Sequence, residues 1–407
     1  MASRIGFISL HTSPLAAPGR ADAGGMNVVV LQSARALARR GILVDLFTRR
    51  SDTDTAPITQ LCRHLRLITL DAGPPTPLAK SDMEQAIAPF QAQLEAFCAT
   101  DGASWQLLHS HHWFSGVAGL PVARQLGLPH VQSFHSVAAP KDATTLQAGE
   151  PSESPGRIAG EAHVARHSDL VAAVSQVEAA TIATRYGVDY ANMRVVRPGV
   201  GVNFFHPPTG EKHRGDYLLF AARLQPLKGA DLALRTLAEL RRDFPQLRLI
   251  LAGAASADFG EYPRELASLA CSLGIEDAVE FIGACSREKL AELMRGAQAL
   301  ILPSWSETFG LVALEAQASG TPVIGWRDAG GLAEAIAPGG LLQETRSPKA
   351  WAAALGELLR DSSRLAAARS CARTFALQHS WEHVATTLVG MYSELIEVVD
   401  DVTNHGC

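Results

Sequence analysis

The feature that most limits the fold of this chain is an alternation. Short β-branched runs take turns with helix-forming stretches over almost its whole length. RIGFISL (4–10) reads as a strand, and MNVVVLQSARALARRG follows as a helix closed by Gly41. ILVDLFTR (42–49), LRLITL (65–70), LLHSHH (107–112), HVQSFHS (130–136), LVAAVS (170–175) and MRVVRPGV (193–200) continue the series, with helical segments between most of them. Strand–helix alternation of this kind predicts a parallel sheet covered on both faces. The pattern then breaks at RPGVGVNFFHPPTGEKHRGD (197–216), a Pro-, Gly- and polar-rich stretch that reads as an interdomain linker. A second series follows: YLLFAAR (217–223), LRLILAG (247–253), VEFIG (279–283), ALILPS (299–304) and PVIGW (322–326).

The prediction is therefore an α/β chain of two Rossmann-like, doubly wound domains facing across a crevice. Residues 1–197 form the first domain and 198–379 the second. A final amphipathic helix at about 380–399 crosses back to the first. A length of 407 residues agrees with two cores. Apolar residues make up 47% and charged residues 19%, a globular balance rather than a disordered one. The net charge of −5, with no long basic run, argues against nucleic acid as a partner. MASRIGFISLHTS is too short and too polar for a signal peptide, and no apolar run approaches the ~18 residues of a membrane span. The expectation is a soluble, cytoplasmic protein without a membrane partner. Six scattered cysteines, at 62, 98, 271, 285, 371 and 407, include no CxxC pair and read as free, mostly buried thiols.

Doubly wound sheets bind ligands at the carboxyl ends of their strands, so the strand-end loops carry the candidate chemistry. The first loop, HTSPLAAPGRADAGGMN from His11 to Asn27, ends in Gly24-Gly25 at a helix start. Glycines there let backbone N–H groups face a phosphate, with the helix dipole adding attraction; a plain strand-to-helix turn explains the same residues equally well. The loop is not GxGxxG, which disfavours a nicotinamide site. In ARLQPLKG (222–229), Arg223 ends a strand and Lys228 opens the next helix, two cations suited to a diphosphate. In SETFGLVALEAQASGTPVIG (306–325), Glu307 and Glu315 lie eight apart with no basic residue beside them in sequence. Helical rise puts them roughly 12 Å apart at most, too far to share a proton. Two such carboxylates suit a long, hydroxyl-rich ligand. Phe309, Gly310 and Leu311 offer backbone N–H groups at a helix start. A helix N-terminal acid favoured by the dipole is the plainer explanation of Glu307.

Together HTSPLAAPG, DAGGMNV, LLHSHHWFSG, RLQPLKG and SETFGLVALEAQASGTPVI resemble retaining nucleotide-sugar glycosyltransferases of the GT-B fold. Within that class the chain is most similar to the D-inositol-3-phosphate glycosyltransferases of mycothiol biosynthesis. The resemblance spreads over most of the chain. It implies that Gly24 and Gly25 meet the donor diphosphate, and that Arg223 and Lys228 neutralise it. Glu307 then holds the donor sugar and Glu315 the ribose. His11 and His135 line the reacting centre, while Asp22, Asn27, Lys80, His112, Ser136 and Arg157 fall on the acceptor side. The chemistry implied is an oxocarbenium-like centre with negative charge growing on the leaving diphosphate, where the cations stabilise the transition state most. Retention needs no protein nucleophile if the acceptor attacks from the leaving-group face and a donor phosphate oxygen takes its proton. No essential cofactor is implied, and no DxD-like metal motif is present. Zinc on HSHH (109–112) is disfavoured for want of a second ligand set. The partners implied are a nucleotide-sugar donor and a small acceptor, with a homodimer as the family's habit.

The chain departs from the subfamily pattern on the acceptor side. His112 stands for the usual Tyr, Ser136 for Thr and Gly156 for Arg, all three in the acceptor-phosphate clamp. Losing that Arg removes a bidentate fork, a loss of about 1.5–3 kcal/mol, unless Arg157 next door takes over through a backbone shift. Cys285 stands for an Arg near the base, and WRDAGG (326–331) carries one extra residue. The expectation is thus transfer from a UDP- or GDP-linked sugar to a small polar acceptor without the usual phosphate, in actinobacterial antibiotic or low-molecular-weight-thiol metabolism. The alternative is transfer of GlcNAc from UDP-GlcNAc to 1D-myo-inositol 3-phosphate. Two other classes share the architecture: a sugar phosphorylase, which needs a lysine-bound pyridoxal phosphate, and a non-catalytic nucleotide-sugar sensor. Retention of Arg223, Lys228 and Glu307 together argues against the sensor.

Overall fold

The computed structural model describes residues 3–16, 24–102, 104–138, 155–209, 214–255 and 259–396. Within them lie two sheets. The first contains β1 (Arg4–Ser9), β2 (Leu43–Arg49), β3 (Ile58–Cys62), β4 (Leu65–Leu70), β5 (Leu107–His111), β6 (His130–Ser133), β7 (Leu170–Ala173) and β8 (Met193–Val195), in the order β3-β4-β2-β1-β5-β6-β7-β8. All neighbours pair in parallel except β3 with β4. The second contains β9 (Tyr217–Ala221), β10 (Arg248–Ala252), β11 (Val279–Gly283), β12 (Ala299–Leu302), β13 (Val323–Trp326) and β14 (Leu341–Gln343), all parallel, in the order β11-β10-β9-β12-β13-β14.

The predicted strands form where the runs of apolar residues lie, and helices covering both faces leave most of them dry, β11 at a sheet edge being half-buried to exposed. β5, β7, β9 and β12 are buried at every position. Two strands are not expected from sequence. β3 alternates half-buried with exposed residues and is antiparallel at the sheet edge, so it carries no continuous apolar run. β14 is three half-buried residues at the opposite edge of the other sheet. The free thiols also differ from expectation. Cys62, Cys271 and Cys371 are exposed and Cys98 and Cys285 half-buried, because they lie on the edge strand, on outward helix faces and in a loop. Cys407 lies outside the described residues.

In each sheet the strand order reverses beside the first strand, between β1 and β5 and between β9 and β12. Loops diverge there and leave a crevice at the carboxyl ends, the usual ligand position for such sheets. The last helix, Trp381–Ser393, returns to the first sheet: Trp381, Leu388 and Tyr392 join the core of Ile5, Phe7 and Val44. Arg39 pairs with Glu382 and Arg40 with Thr386 along its exposed side. Among the described residues no helix is long and apolar enough to cross a membrane.

Candidate active site

The two switch points place the candidate residues. After β12, Ser304 leads to Glu307, and the chain then enters the helix Leu311–Ala318 through Gly310. Gly310 has φ of 96°, a left-handed value that favours glycine, so the turn from loop to helix is sharp. Phe309 is buried in the core of the second sheet, which leaves its backbone rather than its ring for a ligand. Glu307 is held by main chain on both sides: its N–H donates to Ala329 O, and its carbonyl accepts from Gly331 N–H. WRDAGG is therefore the brace of the glutamate loop. A Cβ on Gly331 would lie 2.1 Å from Thr308 O, so only glycine permits this approach.

Neither glutamate lacks a cation. Lys228 Nζ lies 2.7 Å from Glu307 Oε1, and Ser304 Oγ donates to the same oxygen at 2.8 Å. Lys228 is delivered by the turn Pro226–Lys228, whose Leu227 carbonyl accepts from Trp305 N–H. Gly229 closes that turn at φ of 70°, and a Cβ there would meet Pro303 O at 2.2 Å. Glu315 is paired with Arg287 at 2.7 Å. Its side chain is buried and the burial raises its carboxyl above the ordinary range, with Arg287 opposing. Sequence proximity hides both partners, because each cation reaches its glutamate through the fold. Nothing in the sequence singles out Arg287, although it opens the helix Arg287–Gly296 two residues after Cys285. Cys285 is half-buried, and burial raises its thiol. Arg223 follows β9, half-buried, and makes no ion pair among the described residues.

On the other side of the crevice, Gly24 caps the helix Gly25–Arg39, and a Cβ on either glycine would meet nothing within 4 Å. Asn27, assigned to the acceptor side by resemblance, is buried, and its carboxamide is committed to the loop. Oδ1 accepts from Gly24 N–H at 3.2 Å and Nδ2 donates to Ser13 O at 2.7 Å. It acts by holding the glycine turn. Asp22 and the side chain of Lys80 lie outside the described residues.

The histidines gather where β1, β5 and β6 end. The His11 and His112 rings are 4.2 Å apart. His112 caps the helix Trp113–Gln125 with φ of 71°, and His135 has φ of 60°; both are left-handed non-glycine residues. Such strain persists where the surroundings fix it, often at functional sites. β5 alternates its side chains, so His109 and His111 share one face and stack at 4.3 Å, while Ser110 faces the other way to His130. His111 Nδ1 lies 2.9 Å from His135 Nε2. His109 bonds Tyr392 OH through Nδ1 and Ser133 Oγ through Nε2. Burial keeps His109 and His111 well below the ordinary imidazole range and lowers His135 to about 4. Neutral rings can bond sugar oxygens without repelling a positive anomeric centre. Among the described residues no three His, Cys, Asp or Glu side chains form a metal-binding group.

Two of the residues expected on the acceptor side meet: Arg157 Nη2 lies 3.1 Å from both Ser136 O and Oγ. Its Nε, however, is 2.7 Å from Glu161, a fully buried carboxylate that also receives Ala138 N–H and Tyr186 OH. The guanidinium is therefore already charge-compensated. Gly156 faces Glu84, whose Oε2 would be 2.5 Å from a Cβ there.

The two halves also touch. Ser175 Oγ donates to Thr308 O at 2.9 Å, and Glu334 takes Val177 N–H and Arg197. Val174 packs with Phe309 in the second sheet's core, and Leu311 packs on the first sheet's core. The glutamate loop is thus wedged between the halves.

Residues 202–375 match the family described as "Glycosyl transferases group 1", and residues 23–204 match "Glycosyltransferase Family 4". A D-inositol 3-phosphate glycosyltransferase of Stackebrandtia nassauensis is 38% identical over 97% of this chain and 92% of its own length. One of the same description from Mycolicibacterium smegmatis is 38% identical over 96% of this chain and 91% of its own. Among solved structures, a sucrose-phosphate synthase from Thermosynechococcus elongatus superposes with a TM-score of 0.84 at 27% identity, covering 97% of this chain and 99% of that one. Anabaena HepE, solved with UDP-glucose, shares the fold at a TM-score of 0.72 and 19% identity, covering 96% and 100%.

Proposed function

The chain belongs to the group 1, family 4 retaining glycosyltransferases of the GT-B fold, and from that premise we propose that it transfers a sugar from a nucleotide diphosphate donor to a small polyhydroxylated acceptor. The domain division at 197/198, with the last helix returning to the first domain, is part of this reading. The observation that carries it is the pair of charge contacts in the second half, Lys228 on Glu307 and Arg287 on Glu315, with Arg223 two residues beyond β9. A diphosphate fits Arg223, Lys228 and the N–H groups of the helix beginning at Leu311. Glu307 and Glu315 then accept from sugar and ribose hydroxyls. As the sugar–phosphate bond loosens, Arg223 and Lys228 meet growing negative charge on the leaving group, the term that lowers the barrier. The acceptor hydroxyl enters on the face from which the diphosphate leaves, and a phosphate oxygen takes its proton.

For the acceptor, the named relatives support inositol 3-phosphate, and Arg157 on the Ser136 hydroxyl supplies a guanidinium on that side; UDP-GlcNAc is the donor that the sequence resemblance implies with it. A second reading, an acceptor without phosphate, is favoured by two observations: a carboxylate, Glu84, occupies the space over Gly156, and Arg157 is already paired with Glu161. A product-mass assay decides between them. UDP-GlcNAc with inositol phosphate is run beside GDP-sugars with thiol and aminocyclitol acceptors. A rapid GlcNAc–inositol phosphate adduct establishes the first reading. Nucleotide diphosphate released only with another pair establishes the second. Release with none sinks the catalytic proposal.

A further inference from the structure

The histidine row on β5 has a use that the donor and acceptor assignments leave open. His111 Nδ1 is 2.9 Å from His135 Nε2, while His111 Nε2 is buried and has no partner among the described residues. A neutral imidazole carries one proton. If that proton were on His111 Nε2, a donor would be sealed in the core unbonded, which folded proteins rarely tolerate; a bare lone pair there costs less. The proton therefore belongs on His111 Nδ1, which donates to His135 Nε2. A neutral His135 that accepts at Nε2 must carry its own proton on Nδ1.

We propose that His111 is a positioning residue that holds the His135 ring in its Nδ1–H form, so that this N–H is a fixed donor to an oxygen of the bound sugar or diphosphate. The proposal rests on the reading that His135 lines the reacting centre. The row behind His111 supports it. His109 stacks on His111 at 4.3 Å and is itself pinned at both nitrogens, by Tyr392 OH and Ser133 Oγ. Tyr392 comes from the helix Trp381–Ser393, so the returning C-terminal segment braces the row. His135 is held in a left-handed backbone conformation at φ of 60°, which fixes where its ring begins. Among the described residues, His111 is the one that hydrogen-bonds the His135 ring and so links it to that brace.

The test uses the full chain with ¹⁵N-histidine and four variants. The carboxamide nitrogen of Asn reaches the position of an imidazole Nδ1, whereas that of Gln reaches Nε2. In the unsubstituted protein the His135 ring, identified by its loss in His135→Ala, should show the Nδ1–H tautomer. His111→Leu and His111→Gln should release that preference and lower kcat by about 10- to 100-fold with donor KM within about threefold. His111→Asn should stay within about threefold of the parent in kcat. An Nε2–H tautomer at His135, or His111→Asn as impaired as His111→Leu with unchanged circular dichroism, overturns the proposal. Unchanged turnover in His135→Ala would instead remove the reading beneath it, and the tautomer measurement tells the two failures apart.

Discussion

Replacing Arg287 with Met tests how the second carboxylate is held. The substitution keeps an apolar stem and removes the charge, including the guanidinium whose carbon lies 5.0 Å from the centre of the Phe205 ring. It leaves Glu315 with a 5% exposed side chain and no counter-charge. Removing one partner of a fully buried pair costs about 3–5 kcal/mol. Arg287 is 32% exposed, so water screens part of that interaction, and we expect a loss of about 2 kcal/mol near pH 8. The loss should depend on pH. Burial raises the Glu315 carboxyl above its unfolded value, so the fold favours the protonated form. That contribution is fully present below about pH 4.3 and is lost as pH rises through the raised value. Without Arg287 the raised value moves higher, and the window of loss widens upward. Urea unfolding of the parent, Arg287→Met, Glu315→Gln and the double variant at about pH 5.5 and pH 8 measures this directly. Arg287→Met should cost more at the higher pH, and under about 0.5 kcal/mol when Glu315 is already Gln. An equal cost in both backgrounds, or no pH dependence, would refute the charge argument and assign the loss to packing on Phe205.

Three further outcomes are expected. Lys228→Ala should lower the rate of nucleotide diphosphate release by about 10²- to 10³-fold, read in initial rates, because an aimed cation at the leaving group is removed. Gly331→Ala should lower the apparent melting temperature by several degrees or more and depress activity, since its Cβ would press on the Thr308 main chain, which cannot swing aside as the far end of a long side chain can. Gly156→Arg places a cation against Glu84, and inositol phosphate turnover should then change less than about threefold if Arg157 already serves Ser136; a gain of tenfold or more would show an incomplete phosphate clamp.

Much of the fold was legible because dry strands announce themselves. LRLITL in the sequence is β4 residue for residue, and ALILPS contains β12. Two of the edge strands were not legible, since β3 is wetted on alternate residues and β14 is only three residues long. The same divide runs through the site. Arg223, Lys228, Glu307 and Glu315 were visible because they lie within the motifs RLQPLKG and SETFGLVALEAQA. Arg287 carries no such mark: it reaches Glu315 only because its helix, Arg287–Gly296, packs beside Leu311–Ala318. HSHH was visible as a cluster, but its alternation on a strand is what separates His109 and His111 from Ser110. Tyr392 is 283 residues from His109 in sequence, and nothing local connects them. Motifs thus expose residues whose backbone position is functional, and conceal those that act through a long-range partner.

The partnering of charges across the second half has a consequence for binding order. Lys228 and Glu307 pair with each other, and each has 16% of its side chain exposed. In the proposed reaction a donor draws Lys228 toward phosphate and offers Glu307 hydroxyl donors in exchange. The exchange occurs in a loop already braced by Gly331 and tied to the first half through Ser175 and Thr308. A change in the Lys228–Glu307 geometry therefore bears on Thr308 and on the first half's helix Gln176–Tyr186, whose N-cap is Ser175. In that reading donor binding bears on the acceptor half through one short segment, Glu307 to Leu311. That coupling makes physical sense of wedging the segment between two cores, because a transferase must keep water from the loosened sugar until the acceptor is seated.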